Sequence, residues 1–326
     1  MMEVFAALAR MSMAVLLLVL AIAVGAQQAY PNKPVRFITP YAPGGSTTVL
    51  ARLIGQKMTE SWTQPVVVDN RPGASTIIGT EALSRSAPDG YTILLVSVDS
   101  VLIPQLLPTP YDIIKDFAPV GTLSASNFVL VVHPAVPAGN LKEFIALGRS
   151  NPGQLNYASA GSGTISHLVG ELFSILAAVR MQHIPYKGGG PALSDLLGGH
   201  VQLFLVPPAT AIAHINGGKL KGLAISGEAR MLALPQVPTF GEAGLTGFDA
   251  RQWYGVLAPA RTPKQIIEKL SSEIARILAM PDIREKLESQ GMEPFISSSA
   301  QFASLLKAEM AKYGKVIKAS NIKIEN

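Results

Sequence analysis

The chain has 326 residues, no cysteine, and 27 Lys and Arg residues against 22 Asp and Glu residues. The absence of cysteine excludes thiol nucleophiles, cysteine-bound zinc and iron–sulfur clusters, and the length allows two lobes with enough core to be stable without disulfides. Only 15% of the residues are charged and the basic ones are scattered, so the positive balance does not indicate a nucleic-acid partner and instead favours encounter with small anions.

An export signal is predicted over residues 1–26. Residues 13–24 form an uninterrupted apolar run after Arg10, and Val24-Gly25-Ala26 is a small-residue cleavage pattern. The run is shorter than the roughly 20 apolar residues that span a membrane. We therefore expect cleavage after Ala26 and export of the remaining chain, with a retained membrane anchor as the alternative.

The first strand, turn and helix after this signal predict an anion site. Residues 35–39 form an apolar strand, and a turn with Gly44 and Gly45 leads into a helix capped by Ser46 or Thr47. Two adjacent glycines at a helix N-terminus let a small ligand approach backbone N–H groups that have no partner within the helix, and the helix dipole favours negative charge there.

Apolar runs and helical stripes continue to alternate, which predicts parallel sheets covered by helices. The expected elements of the first half are a strand at 66–68, a helix at 77–83 and a strand at 92–98. Prolines at 104, 108, 110 and 119 exclude long regular elements from residues 103–119. A new β-branched run follows, and we place the first crossing between lobes near 123–128.

The second half repeats the pattern. Its expected elements are helices at 141–149, 165–176, 191–197 and 263–280, strands at 155–159, 181–184, 201–206, 220–225 and 253–258, and two further helices before the C-terminus. The return crossing is placed near 247–251. The chain is thus predicted to form two doubly wound α/β lobes joined by two crossings, with lobe 1 at residues 30–125 and 250–326 and lobe 2 at residues 126–249.

The loop at residues 160–164 is the counterpart of the first glycine turn, because it also lies between a strand and a helix. In a clamshell (Venus flytrap) architecture the carboxyl ends of both sheets face one cleft. Two helix N-termini could then converge on one anion from opposite sides, and the lobes would close around it by a hinge motion.

A set of motifs in fixed order resembles the tripartite tricarboxylate transporter substrate-binding, or Bug-type, family. The motifs are PYAPGGS (40–46), LAR (50–52), PVVVDNRPGA (65–74), APDGYT (87–92), YASAG (157–161), PYKG (185–188), DLLGG (195–199) and WYG (253–255). Each motif alone is weak, but the resemblance runs from about residue 30 to the C-terminus.

The resemblance implies a periplasmic solute-binding protein with a clamshell fold, monomeric, without enzymatic activity and without a cofactor. Such a receptor would hold a small carboxylate (a di- or tricarboxylate or an aromatic acid), chiefly through backbone N–H groups and water, and would deliver it to the membrane subunits of a tripartite tricarboxylate transporter. The implied ligand-binding residues are Tyr41, Ala42, Gly44, Gly45, Ser46, Thr47, Thr48, Ala160, Gly161, Ser162, Gly163, Thr164, Tyr186 and Lys187.

One position departs from the family pattern. Many members carry aspartate where this chain has Thr48. A neutral residue in the first helical turn removes a like charge from an anion site and so mildly favours purely anionic ligands over ligands that carry an ammonium group.

The alternative function is a secreted serine hydrolase with Ser162 as nucleophile and His167 as base. Ser162 lies directly between Gly161 and Gly163 rather than in a Gly-x-Ser-x-Gly elbow, and no acidic residue is placed to orient the histidine. The five histidines show no metal-ligand spacing, so no metal site is predicted.

Overall fold

A computed structural model describes residues 30–43 and 46–322 of the chain. Its strands are β1 (Val35–Thr39), β2 (Val66–Asn70), β3 (Thr92–Ser97), β4 (Phe117–Asn127), β5 (Val129–Val132), β6 (Leu155–Ser159), β7 (Met181–Pro185), β8 (Leu203–Val206), β9 (Lys221–Ile225), β10 (Arg251–Pro259) and β11 (Glu293–Pro294). Its α-helices are α1 (Ser46–Trp62), α2 (Ile77–Ser84), α3 (Asp99–Leu106), α4 (Leu141–Ser150), α5 (Ile165–Ala177), α6 (Gly189–Leu197), α7 (Pro208–Asn216), α8 (Lys264–Leu278), α9 (Pro281–Glu288) and α10 (Ser299–Ala319).

The strands form two separate sheets. The first has the order β11-β4-β10-β3-β1-β2 and the second has the order β7-β6-β8-β5-β9. Helices pack against both sheets, so the predicted α/β architecture with two lobes is confirmed. The export signal at residues 1–26 lies outside the described residues.

Neither sheet is wholly parallel, and the prediction of parallel sheets is wrong for the strands next to the crossings. In the first sheet β1 is parallel to β2 and β3, whereas β10 is antiparallel to β3 and β4. In the second sheet β6 is parallel to β7 and β8, whereas β5 is antiparallel to β8 and β9. Strands that enter or leave a lobe are not confined to the right-handed βαβ connection that makes neighbours parallel.

The chain passes between the sheets at two places. It leaves the first sheet at Asn127 and enters the second at Val129, and it returns between Ile225 and Arg251. We propose on this basis that the lobes divide at the predicted boundaries, near residues 125 and 250. Trp253 anchors the returning strand β10, since its indole is buried and donates a hydrogen bond to Glu309 Oε2 at 3.1 Å.

The stretch at residues 103–119 is more regular than predicted. Helix α3 continues through Pro104 because residues 100–103 before it are buried and only one helical N–H is lost. Strand β4 tolerates Pro119 because its outer neighbour β11 pairs only with Ser124 and Ala125, well away from the proline. Helix α7, which begins at Pro208, was not predicted.

No helix within residues 30–43 and 46–322 combines the length and the apolar character needed to cross a bilayer.

Candidate functional site

A cavity of about 310 Å³ lies where loops from the two lobes meet. The first lobe contributes residues 40–42, residues 72, 73, 75 and 76 of a turn, and Asp99 and Ile103 of α3. The second lobe contributes residues 162–164, which lead into α5. The structure thus brings the two predicted loops together around one space, as a ligand held between lobes requires.

The first-lobe loop is held by a side-chain amide. Asn70, at the end of β2, donates from Nδ2 to the carbonyl of Tyr41 and to Thr48 Oγ1, both at 2.9 Å. Thr48 Oγ1 in turn donates to the carbonyl of Ala42 at 3.4 Å. Thr47 and Thr48 are buried and do not line the cavity, so Thr48 supports the loop rather than facing the ligand space.

Three of the predicted residues are described incompletely or not at all. Gly44 and Gly45 lie outside the described residues, and Ser46 is described only as the first residue of α1. Tyr41 and Ala42 are the predicted first-lobe residues that line the cavity.

The second-lobe loop uses most of its backbone donors internally. Gly161 N–H donates to Ser159 Oγ at 3.1 Å, Gly163 N–H to His167 Nδ1 at 3.0 Å, and Thr164 N–H to the carbonyl of Gly161 at 3.3 Å. Ser162 N–H has no acceptor among the described residues, and the Ser162 side chain is exposed. The loop therefore offers fewer free backbone donors than its glycine content suggests.

Two stacked histidines lie behind this loop. The rings of His167 and His183 have centroids 3.7 Å apart with an angle of 8° between their planes. Burial lowers the pKa of both side chains, and the pKa of His183 falls to about 3 through burial and the neighbouring His167. His183 Nε2 lies 2.6 Å from Ser159 Oγ. The two neutral histidines thus hold the loop in different ways. His167 accepts a loop N–H itself, and His183 contacts Ser159, whose hydroxyl accepts another.

The hydrolase constellation is not formed. Nδ1 of His167 accepts the Gly163 N–H, which places the proton of the neutral ring on Nε2. Within the described part of the chain no hydrogen bond joins Ser162 to His167, and Asp99 accepts the backbone N–H of Ile165 rather than a histidine N–H.

Asp99 is a cavity residue that the sequence pattern did not reveal. It begins α3 directly after β3, and its Oδ1 accepts the N–H of Ile165, the first residue of α5 in the other lobe, at 3.2 Å. Its Oδ2 accepts from Ser97 Oγ at 3.0 Å, and Ser97 Oγ lies 2.6 Å from the Tyr41 hydroxyl. Burial raises the pKa of the Asp99 carboxyl. An acidic residue that starts a helix at the carboxyl end of a buried strand is the signal that could have found it.

The turn at residues 72–76 forms a second unpredicted wall. Ala74, Ser75 and Thr76 have φ angles of 45°, 52° and 78°, a left-handed conformation that is costly for residues with a Cβ. Gly73 precedes them with a φ of 128°, and a Cβ there would lie 2.6 Å from Ile78 Cδ1. The Thr76 hydroxyl is buried without a hydrogen-bond partner among the described residues. Because Thr76 lines the cavity, this hydroxyl is a candidate donor to a ligand.

Four predicted residues of the second lobe do not line the cavity, namely Ala160, Gly161, Tyr186 and Lys187. The Tyr186 hydroxyl donates to Asp195 Oδ2 at 2.7 Å, and burial together with this carboxylate raises the pKa of Tyr186 to about 12. Lys187 is exposed.

A larger cavity of about 520 Å³ lies beside the two crossings, lined in part by residues 125–127 and 228–233. Its arginines are already near carboxylates, since Arg230 pairs with Glu242 at 2.8 Å and Arg251 lies 3.9 Å from Glu293. It lacks the paired strand–loop–helix entrances of the first cavity. Elsewhere, no group of three or more His, Asp or Glu residues in the described ranges could hold a metal ion.

Comparison with known proteins identifies the family. The family described as "Tripartite tricarboxylate transporter family receptor" matches residues 50–322. The chain belongs to this family. The resemblance drawn from the motifs is confirmed, and receptors of this family bind solutes rather than transform them.

Relatives and solved structures agree over almost the whole chain. Protein BugT of Bordetella pertussis is 36% identical over 91% of this chain and 92% of its own length. A protein from R. palustris solved with adipate is 31% identical, with a TM-score of 0.78 over 90% of this chain and 99% of its own. MatC from Rhodopseudomonas palustris with bound malate is also 31% identical, with a TM-score of 0.74 over 88% of this chain and all of its own.

Proposed function

We propose that the protein is a periplasmic receptor that captures a small carboxylate in the cavity between its lobes. The observation that carries the proposal is the meeting of two strand–loop–helix units, one from each lobe, around a single cavity of about 310 Å³. The adipate and malate found in two relatives support the carboxylate class.

The ligand would be held by a few neutral donors. Among the described residues these are the free N–H and the hydroxyl of Ser162 on the second lobe and the unpartnered hydroxyl of Thr76 on the first. The N-terminus of α1, which follows the first-lobe loop, would add its own N–H groups. The dipoles of α1 and α5 both add positive potential at their N-termini. Bridging water molecules would complete the contacts, because the two loops offer few direct donors for the oxygens of a carboxylate.

The proposed binding set differs from the one predicted from the sequence. Asp99 and Thr76 are added because they line the cavity, and Ala160, Gly161, Tyr186 and Lys187 are removed because they do not. Thr48 acts by fixing the first-lobe loop.

Membership of the family supports the remaining parts of the proposal. After export, the loaded receptor would deliver its ligand to the membrane subunits of a tripartite tricarboxylate transporter. The two chain crossings would serve as the hinge on which the lobes open and close.

A titration of the purified protein against small carboxylates and their uncharged amides tests this function. Ligand at 100 times its dissociation constant stabilises a protein by about 2.7 kcal/mol, which raises the melting temperature by several degrees. We expect a rise for some acids and none for the matched amides. Absence of any shift, after partial unfolding and refolding to remove a co-purified ligand, would contradict a carboxylate receptor.

Ser162→Ala separates the receptor from the hydrolase. In a receptor the variant loses one hydrogen bond of about 0.5 to 1.5 kcal/mol and keeps the backbone donor, so affinity falls by up to about tenfold. In a hydrolase the same variant would lose all turnover of an ester substrate.

A further inference from the structure

The part of the cavity wall that the structure describes carries one acidic side chain and no basic one. Among the described residues that line it, Asp99 is the only carboxylate, and no Lys, Arg or His is present. No salt bridge within the described ranges involves Asp99. A ligand that is purely anionic would therefore add its charge to an acidic group that has no counter-charge.

The Asp99 carboxylate has acceptor positions that its two hydrogen bonds do not occupy. An ionised carboxylate offers about four acceptor positions. The Ile165 N–H occupies one on Oδ1 and the Ser97 hydroxyl one on Oδ2. The positions that remain open belong to a side chain that lines the cavity, so a donor on the ligand can reach them.

The hydrogen-bond partners of the Asp99 side chain provide no positive charge. Both of its partners are neutral donors, and burial makes its ionised form costly, which raises its pKa. A ligand ammonium would supply the missing counter-charge and a charge-assisted hydrogen bond at once.

The position of Asp99 also limits the distance between the charged groups of the ligand. Asp99 is bonded to Ile165, three residues after Ser162, and both Asp99 and Ser162 line the same cavity. A ligand carboxylate at the free Ser162 N–H would therefore lie in the same cavity as Asp99, close to the start of α5. In α-amino acids the carboxylate and the ammonium are attached to the same carbon, which satisfies this short spacing.

We propose that Asp99 determines specificity by binding a ligand ammonium, so that the receptor prefers α-amino acids to the corresponding acids without the amine. The assignment rests on the proposed function and narrows its ligand class. It differs from the expectation drawn from Thr48, because it assigns the ammonium to an acidic group on α3 instead of α1. A ligand with a second carboxylate near Asp99 would bind less well.

Calorimetric titration with matched pairs tests the assignment. The probes are L-aspartate and succinate, L-leucine and 4-methylpentanoate, and L-phenylalanine and 3-phenylpropionate, so that each pair differs only in the amine. We expect the wild-type protein to bind the amino acid of at least one pair ten times or more tighter than its partner. Asp99→Asn should reduce that preference at least tenfold.

Two further variants guard the interpretation. Asp99→Ser can still cap the start of α5 but carries no charge. It should lose the preference for the amine as Asp99→Asn does, and it takes the place of Asp99→Asn in the test if that variant folds poorly. Asp249→Asn removes the same charge from a side chain that is 76% exposed and paired with Lys312, and it should leave the preference unchanged.

The outcomes separate the two proposals. If acids bind but the wild-type protein does not favour the amine, or if the Asp99 variants keep the preference, the role of Asp99 is wrong while the carboxylate receptor stands. If neither member of any pair binds, both the ligand class proposed here and the role of Asp99 are overturned.

Discussion

The two loops that meet at the cavity have the same layout but are held by different means. On the first lobe the side chain of Asn70 fixes the loop from outside through Tyr41 and Thr48. On the second lobe the loop is held by its own N–H groups, which donate hydrogen bonds to Ser159 and His167. A strand–loop–helix pattern therefore predicts where a ligand enters, but not how many donors remain free for it.

The start of α5 sharpens the contrast. Its N-cap residue, Thr164, makes no capping bond with its side chain. Asp99 of the opposite lobe accepts the first helical N–H instead. The second-lobe site is thus completed by the first lobe, and the cavity depends on both.

The largest effect is expected from removing the acceptor behind the second-lobe loop. His167→Leu leaves the buried Gly163 N–H without a partner, which costs about 1 to 3 kcal/mol. We expect a lower midpoint of urea unfolding and weaker binding of the carboxylate identified by titration. His167→Asn is the matched control, because its amide oxygen can accept the same N–H. Equal stability of the Leu and Asn variants would show that the loop does not depend on this bond.

Acidification should weaken the second lobe selectively. The folded protein keeps His183 neutral down to a pKa of about 3, whereas the unfolded chain takes up the proton near pH 6.5. Between these values the unfolded state binds more protons, so the free energy of unfolding falls as pH falls, by at most about 1.4 kcal/mol per pH unit for this group.

Thermal unfolding at pH 7 and pH 5 measures this effect. His183→Gln removes the titrating group, and the variant should lose less stability than the wild-type protein over the same interval. His200→Gln, on the second-lobe surface outside the histidine stack, is the control. An equal loss in the wild-type and His183→Gln proteins would rule out His183 as the cause.

Loss of the first-lobe anchor should have an intermediate effect. Asn70→Leu removes two hydrogen bonds of about 0.5 to 1.5 kcal/mol each and frees the loop at Tyr41. Affinity for the carboxylate should fall more than the stability change alone explains, because the loop must be ordered again on binding. Unchanged affinity in a folded variant would show that the first-lobe loop does not require Asn70.

The smallest effect on stability is expected at the strained turn. Thr76→Val replaces a buried hydroxyl that has no partner among the described residues and keeps the branched shape, so the free energy of unfolding should not fall. Affinity should nevertheless drop two- to tenfold if this hydroxyl donates to the ligand. Thr80→Val, whose hydroxyl bonds to the carbonyl of Thr76 at 3.0 Å, should show the opposite pattern of lower stability.

Much of the fold could be predicted because the hydrophobic periodicity of the segments and the turn residues between them indicate the same elements. Strands β1 and β6 match their predicted bounds, and the helix starting at Ile165 begins where the glycine loop ends. The prediction that prolines exclude long regular elements from residues 103–119 was wrong, because burial of neighbouring side chains outweighed the loss of single hydrogen bonds. Strand direction at the crossings is a tertiary property and has no local signal.

The site was predictable in location but not in composition. Tyr41, Ala42 and residues 162–164 line the cavity as expected. Asp99 and Thr76 reach it through the packing of α3 and through three consecutive left-handed residues, which no spacing in the sequence reveals. The histidine stack joins residues from a helix and a strand of the second lobe, and it too is visible only after folding.

The most direct test of a receptor that binds between its lobes is a crystal structure of the complex with the tightest carboxylate found by titration. We expect a carboxylate oxygen within about 3.2 Å of the Ser162 backbone nitrogen, with the remainder of the ligand between Tyr41 and the turn at residues 72–76. Ligand density in the larger cavity beside the crossings, with the space between the two loops empty, would contradict binding between the lobes.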